Sequence, residues 1–344
     1  MANVITQAAN ITGDWLQSVF RDACVERFAV EVDQSNTAGI ARITVEFADG
    51  YAPRRLFLKM RAGSGDFIAD SECRYYTRDY VDVLDAPLPR CYAAAFDEAS
   101  GAYHLLLEDV SETHHDNKHI QPTRDYGVAV AQAMAALHAR WWDRVPLPTP
   151  AQIERYVAAS RAGLEPMIDV IRELPEGRWI EPLRELFAHH PAAMVRRMSN
   201  PRGLTLIHGD CNPTNILSPK AGVGNVYLID RQPFVWSLTT WLGVSDVAYM
   251  MVHWWDTALR REYERDVVRA YHAALVGRGA RDYSFDEAWG DYRLCAVQSA
   301  YVPALWCAND NDRDRMQWLW LMQLRRTMTT IEDLKCAELW SIEA

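Results

Sequence analysis

The sequence predicts a two-lobed α+β protein, with a small β-rich first lobe and a large, mainly helical second lobe. Three observations lead there. The chain has 344 residues, near two domains by the usual length scale of roughly 150 residues each. Its pattern changes near residue 110, from short β-rich runs to long stretches of helical periodicity. A single β-like island, 204–207 and 226–229, interrupts the helical part around a polar loop. The lobes are therefore bounded at 1–109 and 110–344.

In the first lobe the runs 28–33, 41–47, 55–60, 90–96 and 103–107 read as strands. Turn residues such as Asp49-Gly50 and Ser100-Gly101 separate most of them. Trp15, Leu16, Val19 and Phe20 lie at helical spacing behind Thr12, a candidate N-cap, and a second helix is expected over about 67–83. In the second lobe Val130, Met134, Leu137 and Trp141 form an apolar stripe on one helix face. Further helices are expected over 151–172, 180–198, 244–254, 260–275, 285–300 and 313–334.

Composition narrows the function. Apolar residues make up 49% and charged residues 24%, the balance of a globular protein with a sizeable core. The formal net charge is −10 and no Lys/Arg-rich run stands out, which argues against a nucleic-acid partner. An acidic cleft would suit a cationic substrate. The seven cysteines are scattered without a C-x-x-C pair, so reduced thiols are expected rather than disulfides or zinc. The N-terminal stretch lacks the pattern of a signal peptide. The longest apolar run, 247–255, is interrupted by His253 and too short for a bilayer. A soluble, cytoplasmic protein without a membrane partner is expected.

The chemistry concentrates in Leu206-Ile-His-Gly-Asp-Cys-Asn-Pro-Thr-Asn-Ile-Leu217. Asp210 follows a buried-strand pattern, Asn215 comes five positions later, and a second apolar run, 226–229, delivers Asp230. Read as a hairpin, the two runs bring Asp210, Asn215 and Asp230 to one end. Singly, Asp and Asn are common turn residues. As a spaced set they supply what phosphoryl transfer needs, a carboxylate for the acceptor hydroxyl and oxygen ligands for Mg²⁺. In the first lobe Lys59 is the one polar residue of Leu56-Phe-Leu-Lys-Met60, and it is one of only four lysines in the chain. Glu72 falls on the following helix in phase with Ile68, Tyr75 and Tyr76. A carboxylate on an apolar face needs a partner, and Lys59 is the natural one.

The HGD-x-x-x-x-N block followed by an apolar strand ending in Ile-Asp resembles the aminoglycoside phosphotransferase and choline kinase family. These are small-molecule kinases of protein-kinase-like fold. The resemblance runs from about residue 28 to about residue 255 and is sharpest over 206–232. It implies a nucleotide-binding first lobe, a catalytic and substrate-binding second lobe, Mg²⁺, and ATP or GTP as phosphoryl donor. It implies that Asp210 is the catalytic carboxylate, and that Asn215 and Asp230 are the Mg²⁺ ligands. Lys59, aimed by Glu72, would hold the α and β phosphates. Asp246 in Ser-Asp-Val-Ala-Tyr resembles the family's Asp-Leu-Ala, which braces the catalytic loop, and Leu137-His138-Ala139 resembles its Leu-His-Ala, with His138 read as a packed residue. The connector Leu105-Leu-Leu-Glu-Asp-Val110 resembles the hinge, where the backbone at Glu108 and Val110 would bind the purine edge.

The sequence departs from the pattern in two places. No G-x-G-x-x-G precedes Lys59, so Ser35, Asn36 and Thr37, ahead of Gly39, become the candidate phosphate loop. Arg231-Gln232 follows the metal aspartate where the family often has an aromatic residue. HGD in place of HRD, with no D-F-G and no A-P-E, disfavours a protein kinase. The expected activity is transfer of the γ-phosphoryl group to a hydroxyl of a small molecule, first an antibiotic or related natural product. A choline-, ethanolamine- or sugar-type kinase and a non-catalytic nucleotide-binding relative are the alternatives. Tryptophans of the helical lobe, Trp236 and Trp241 among them, are expected to serve core and rim packing, and 309–312 a solvated loop.

Overall fold

Period-2 burial along 40–47 and 54–61 sets the core face of a five-stranded antiparallel sheet in the N-terminal part. In the computed structural model, which describes residues 4–33, 39–48, 50–63, 70–231 and 239–339, the chain forms two compact units. The first comprises Met1–His115 and Leu217–Val235, the second Asp116–Ile216 and Trp236–Ala344.

The first unit opens with α1 (Gly13–Val19), whose N-cap Thr12 accepts a hydrogen bond from the Trp15 N–H at 3.2 Å. β1 (Val25–Asp33), β2 (Ile40–Phe47) and β3 (Arg54–Arg61) follow. Next come α2 (Asp70–Arg74), which runs into a π-helical turn over Tyr75–Asp79, then β4 (Cys91–Phe96), β5 (Tyr103–Glu108) and β6 (His114–Asp116). The sheet order is β1-β2-β3-β5-β4. Ala41, Ile43 and Val45 of β2 and Leu56, Leu58 and Met60 of β3 point to one side and pack with Ile5, Leu16 and Phe20. Alternation therefore sends Lys59 to the opposite face, paired with Ile40 on one side and Leu105 on the other.

The second unit begins with α3 (Arg124–Trp141), on which Val130, Met134 and Leu137 are buried. α4 (Pro150–Arg161), α5 (Leu164–Ile171), α6 (Ile180–Met198) and β7 (Leu204–Leu206) follow. The single helix expected over 151–172 is thus two. A Cβ on Gly163 would lie 1.8 Å from the Ala304 carbonyl oxygen, so only glycine lets the backbones meet there. The chain then contributes β8 (Ile216–Pro219) and β9 (Tyr227–Leu228), which join β6 in a three-stranded sheet. It returns as β10 (Thr240–Leu242), α7 (Val244–Trp254), α8 (Thr257–Gly277), α9 (Phe285–Gln298), α10 (Tyr301–Cys307), α11 (Asp310–Arg315) and α12 (Gln317–Asp333).

The island is not the expected hairpin of 204–207 with 226–229. β7 pairs with β10, in the register Thr240–Leu206 to Leu242–Leu204, while β9 belongs with β8 and β6. A turn with Gly222 at φ +73° and Gly224 at φ +125° folds β9 back beside β8, a nearer partner than β7. Among the described residues, no helix is long and apolar enough to cross a membrane.

Candidate active site

In the first unit, Lys59 Nζ donates to Glu72 Oε1 at 3.0 Å and Oε2 at 2.9 Å, and also to Asp230 Oδ1. The Tyr103 hydroxyl donates to Glu72 Oε2 at 2.6 Å from β5, the neighbouring strand. The lysine side chain is 17% exposed and the Glu72 side chain 9%. Burial opposes the Lys59 charge, but Glu72 and Asp230 outweigh it and lift the ammonium above its usual range. Burial pushes the Glu72 carboxyl up against the pull of Lys59. The cluster holds one cation between two carboxylates, an excess of one negative charge.

Asp230 has φ +61°, a left-handed conformation uncommon outside glycine. Its neighbours fix it there. Arg231 Nη1 donates to Asp79 Oδ2 at 2.8 Å in a fully buried ion pair, and the Tyr75 hydroxyl donates to the Leu228 carbonyl at 3.2 Å. Arg231 thus braces the segment that carries Asp230. Glu108 is exposed at the end of β5, and Val110 is half-buried, its carbonyl accepting from the Thr113 and His114 N–H groups. Ser35, Asn36 and Thr37 lie outside the described residues, as do Ile68, Gln232 and Trp236.

In the second unit, the loop between β7 and β8 is held from α7. Asp246, 1% exposed, accepts from the backbone N–H of His208 at 2.7 Å and of Gly209 at 2.9 Å, and pairs with His138 Nε2 at 3.1 Å. His138 is buried, and its Nδ1 meets the Tyr271 hydroxyl at 2.8 Å. It is a packed residue of the brace. Burial works against the Asp246 charge, yet His138, His208 and the Gly209 N–H hold its carboxyl below the usual range. Gly209, at φ +85°, makes the turn into Asp210.

Three donors converge on the Asp210 carboxylate. The Tyr249 hydroxyl reaches Oδ1 at 2.8 Å and Asn212 Nδ2 the same oxygen at 3.0 Å, while Asn215 Nδ2 reaches Oδ2 at 3.1 Å. Asn215 Nδ2 also donates to the Asp210 carbonyl at 3.0 Å. Asn117 closes the far end of the loop through the Ile216 carbonyl at 2.7 Å and the Pro213 carbonyl at 2.9 Å. Tyr249 and Asn212 were not singled out by the sequence. The available signal was Asp246-x-x-Tyr249, which sets brace and donor one turn apart on the same helix. Burial pushes the Tyr249 phenol well above its usual range, so it stays a donor.

The donor chemistry suits a hard divalent cation. Asn215 commits its NH₂ to Asp210, leaving the amide oxygen, which among the described residues has a 3.4 Å contact from Thr214 Oγ1. Asp230 offers a carboxylate in a cluster with excess negative charge. Both are the oxygen donors Mg²⁺ takes, and Mg²⁺ needs few of them because it keeps waters and phosphate oxygens. Among the described residues there is no group of three or more His, Cys, Asp or Glu side chains able to hold a metal. Elsewhere in the unit, Asn309 caps α11, and Asp310 and Asp312 pair with Arg313 and Arg315, so 309–312 is a helix start and not a loop. Trp241, Trp255 and Trp320 are buried in the core, whereas Trp318 is exposed.

Residues 47–289 match the phosphotransferase enzyme family. No curated protein matches the chain in sequence. Among solved structures, the ethanolamine kinase of Plasmodium vivax is 12% identical with a TM-score of 0.51, over 94% of this chain and 86% of that one. An aminoglycoside-3'-phosphotransferase of type VIII is 23% identical with a TM-score of 0.44, over 83% and 97%. An aminoglycoside phosphotransferase from Alicyclobacillus acidocaldarius is 13% identical with a TM-score of 0.49, over 96% and 97%. The first of these likenesses shows a kinase-like fold. With a family match over more than two thirds of its length, the chain belongs to the phosphotransferase enzyme family.

Proposed function

We propose that the protein transfers the γ-phosphoryl group of ATP or GTP, with Mg²⁺, to a hydroxyl group of a small molecule, first of all an antibiotic or related natural product. The observation that carries this reading is Lys59 held between Glu72 and Asp230. A buried ammonium fixed by carboxylates is a point charge suited to phosphate oxygens. Asp230, with Asn215, would hold the metal ion. Bound there, Mg²⁺ would neutralise phosphate charge.

The chain's own residues do the rest. The three donors on Asp210 fix the plane of its carboxylate, ready to accept a hydrogen bond from the acceptor hydroxyl. The hydroxyl oxygen forms the new bond to the γ-phosphorus, the bond to the β–γ bridging oxygen breaks, and the hydroxyl proton leaves by way of Asp210. The Asp246 brace holds the loop against reorganisation as charge moves. The chain's acidity favours acceptors that carry amino groups.

The test is a turnover screen with ATP and with GTP across hydroxylated antibiotics, amino alcohols and sugars, read beside nucleotide binding. Turnover with an antibiotic is the expected result. Turnover with amino alcohols or sugars alone would move the acceptor class. Binding without turnover would make the protein a nucleotide sensor, and neither binding nor turnover would end the proposal.

A further inference from the structure

Away from the residues assigned above, the second unit carries a cavity of about 290 Å³ between the end of α3, the turn before β7 and the turn after α8. Arg144, Arg202, Arg278 and Arg281 line it, against two carboxylates, Asp143 and Asp282. Such a local excess of positive charge runs against a chain whose net charge is −10. Arg202 Nη1 donates to the Asp282 carbonyl at 3.2 Å and so ties two walls together.

Trp142 also lines the cavity, is 6% exposed, and packs edge-on against Tyr283 at 5.0 Å. Its buried indole N–H has no hydrogen-bond partner. A guanidinium can only donate, so the arginines that line the cavity ask for an acceptor-rich ligand. Guanidinium forks match phosphate oxygens in pairs. The volume lies at the lower edge of small-molecule sites, which run to roughly 300–1,000 Å³.

We infer that this cavity binds a compact phosphate-bearing anion, either inorganic phosphate or a small phosphate monoester, through its arginines. Calorimetric titration of the full chain with inorganic phosphate and with glycerol 3-phosphate tests this. Both should bind; a tighter monoester would assign the cavity to an esterified metabolite, equal affinities to free phosphate. Arg144→Gln with Arg281→Gln, two exposed positions, should weaken binding at least ~10-fold, the scale of lost hydrogen bonds to a charged group. Added salt should weaken it further. Lys59→Ala should leave this binding unchanged, which separates it from the proposed nucleotide site. No heat at millimolar phosphate, a double variant that titrates like the parent, or loss of the signal in Lys59→Ala would overturn the inference.

Discussion

Lys59 is one positive charge shared by two carboxylates in a buried place, and the protein's chemistry is most exposed to change there. Lys59→Ala leaves Glu72 without its counter-charge, so both turnover and melting temperature should fall. Lys59→Arg keeps the charge but brings a planar fork to a point-charge site, and turnover should stay low. Full activity in Lys59→Arg would remove Lys59 from the phosphate role. The two aspartates should separate cleanly. Asp210→Asn should spare nucleotide affinity and cut turnover by ~10²–10⁴, the range of a general base. Asp230→Asn weakens an anionic oxygen donor, so Mg²⁺-dependent nucleotide affinity should drop and partly recover as Mg²⁺ is raised. Calorimetric nucleotide binding over a Mg²⁺ series, beside steady-state rates, distinguishes them, and parent-like behaviour of either variant would refute its assigned role. Tyr249→Phe removes one donor from Asp210 and should cost about tenfold in turnover with nucleotide affinity intact. Lys59 and Glu72 were legible because each is a charged residue in an apolar pattern, a conflict that demands a partner, and Asp210 through its spacing to Asn215 and Asp230 in a polar loop. Tyr249 was not, since a tyrosine in an apolar helix raises no such conflict until its hydroxyl is placed.

At the scale of elements, strands and long helices followed from periodicity, and pairing did not. β2 and β3 alternate so regularly in burial that Lys59 falls on the face opposite Leu58 and Met60. The partner of β7 could not be read, because β10 lies more than thirty residues away and short apolar runs pair by tertiary context. The break between α4 and α5 has the same origin, the backbone of α10 arriving at Gly163. Two glycines should therefore respond oppositely to alanine. Gly163→Ala drives a methyl into the Ala304 carbonyl and should destabilise by ~1–3 kcal/mol or more. Gly290, within α9, has nothing within 4 Å of an added Cβ, so Gly290→Ala should stabilise by about 0.5–1 kcal/mol. Denaturant midpoints of the two variants decide it, and a shift of the same sign in both would contradict the packing at Gly163.

At the scale of the whole molecule, three buried histidines set an acid limit. Burial holds His104, His190 and His253 down to about 4. Their bonding agrees: His104 Nδ1 accepts from the Ile5 N–H at 3.0 Å, and His253 Nε2 is spent on the Ser299 carbonyl at 2.9 Å. Each has a folded pKa below its unfolded value of about 6.5, so the unfolded chain binds more protons between those limits. Stability is therefore full above about pH 6.5 and falls as pH drops toward 4, by at most about 3 kcal/mol for each histidine. Melting temperatures from pH 7 to 5 should decline, and His253→Gln should flatten the decline; an unchanged slope would deny that His253 is neutral in the fold. The first unit is also discontinuous, since β8, β9 and the segment bearing Asp230 follow some hundred residues of the other unit. On the ribosome, the first unit must therefore wait for that segment, on the order of ten seconds at ~5–20 residues per second. During that interval Glu72 has Lys59 but no Asp230 beside it, and β6 lacks its neighbours. Nascent chains stalled near residue 150 should be cut readily by protease within the first 115 residues, and chains long enough to expose residue 231 should resist. The segment bearing Asp230 is thus the piece that completes the fold around the first lysine.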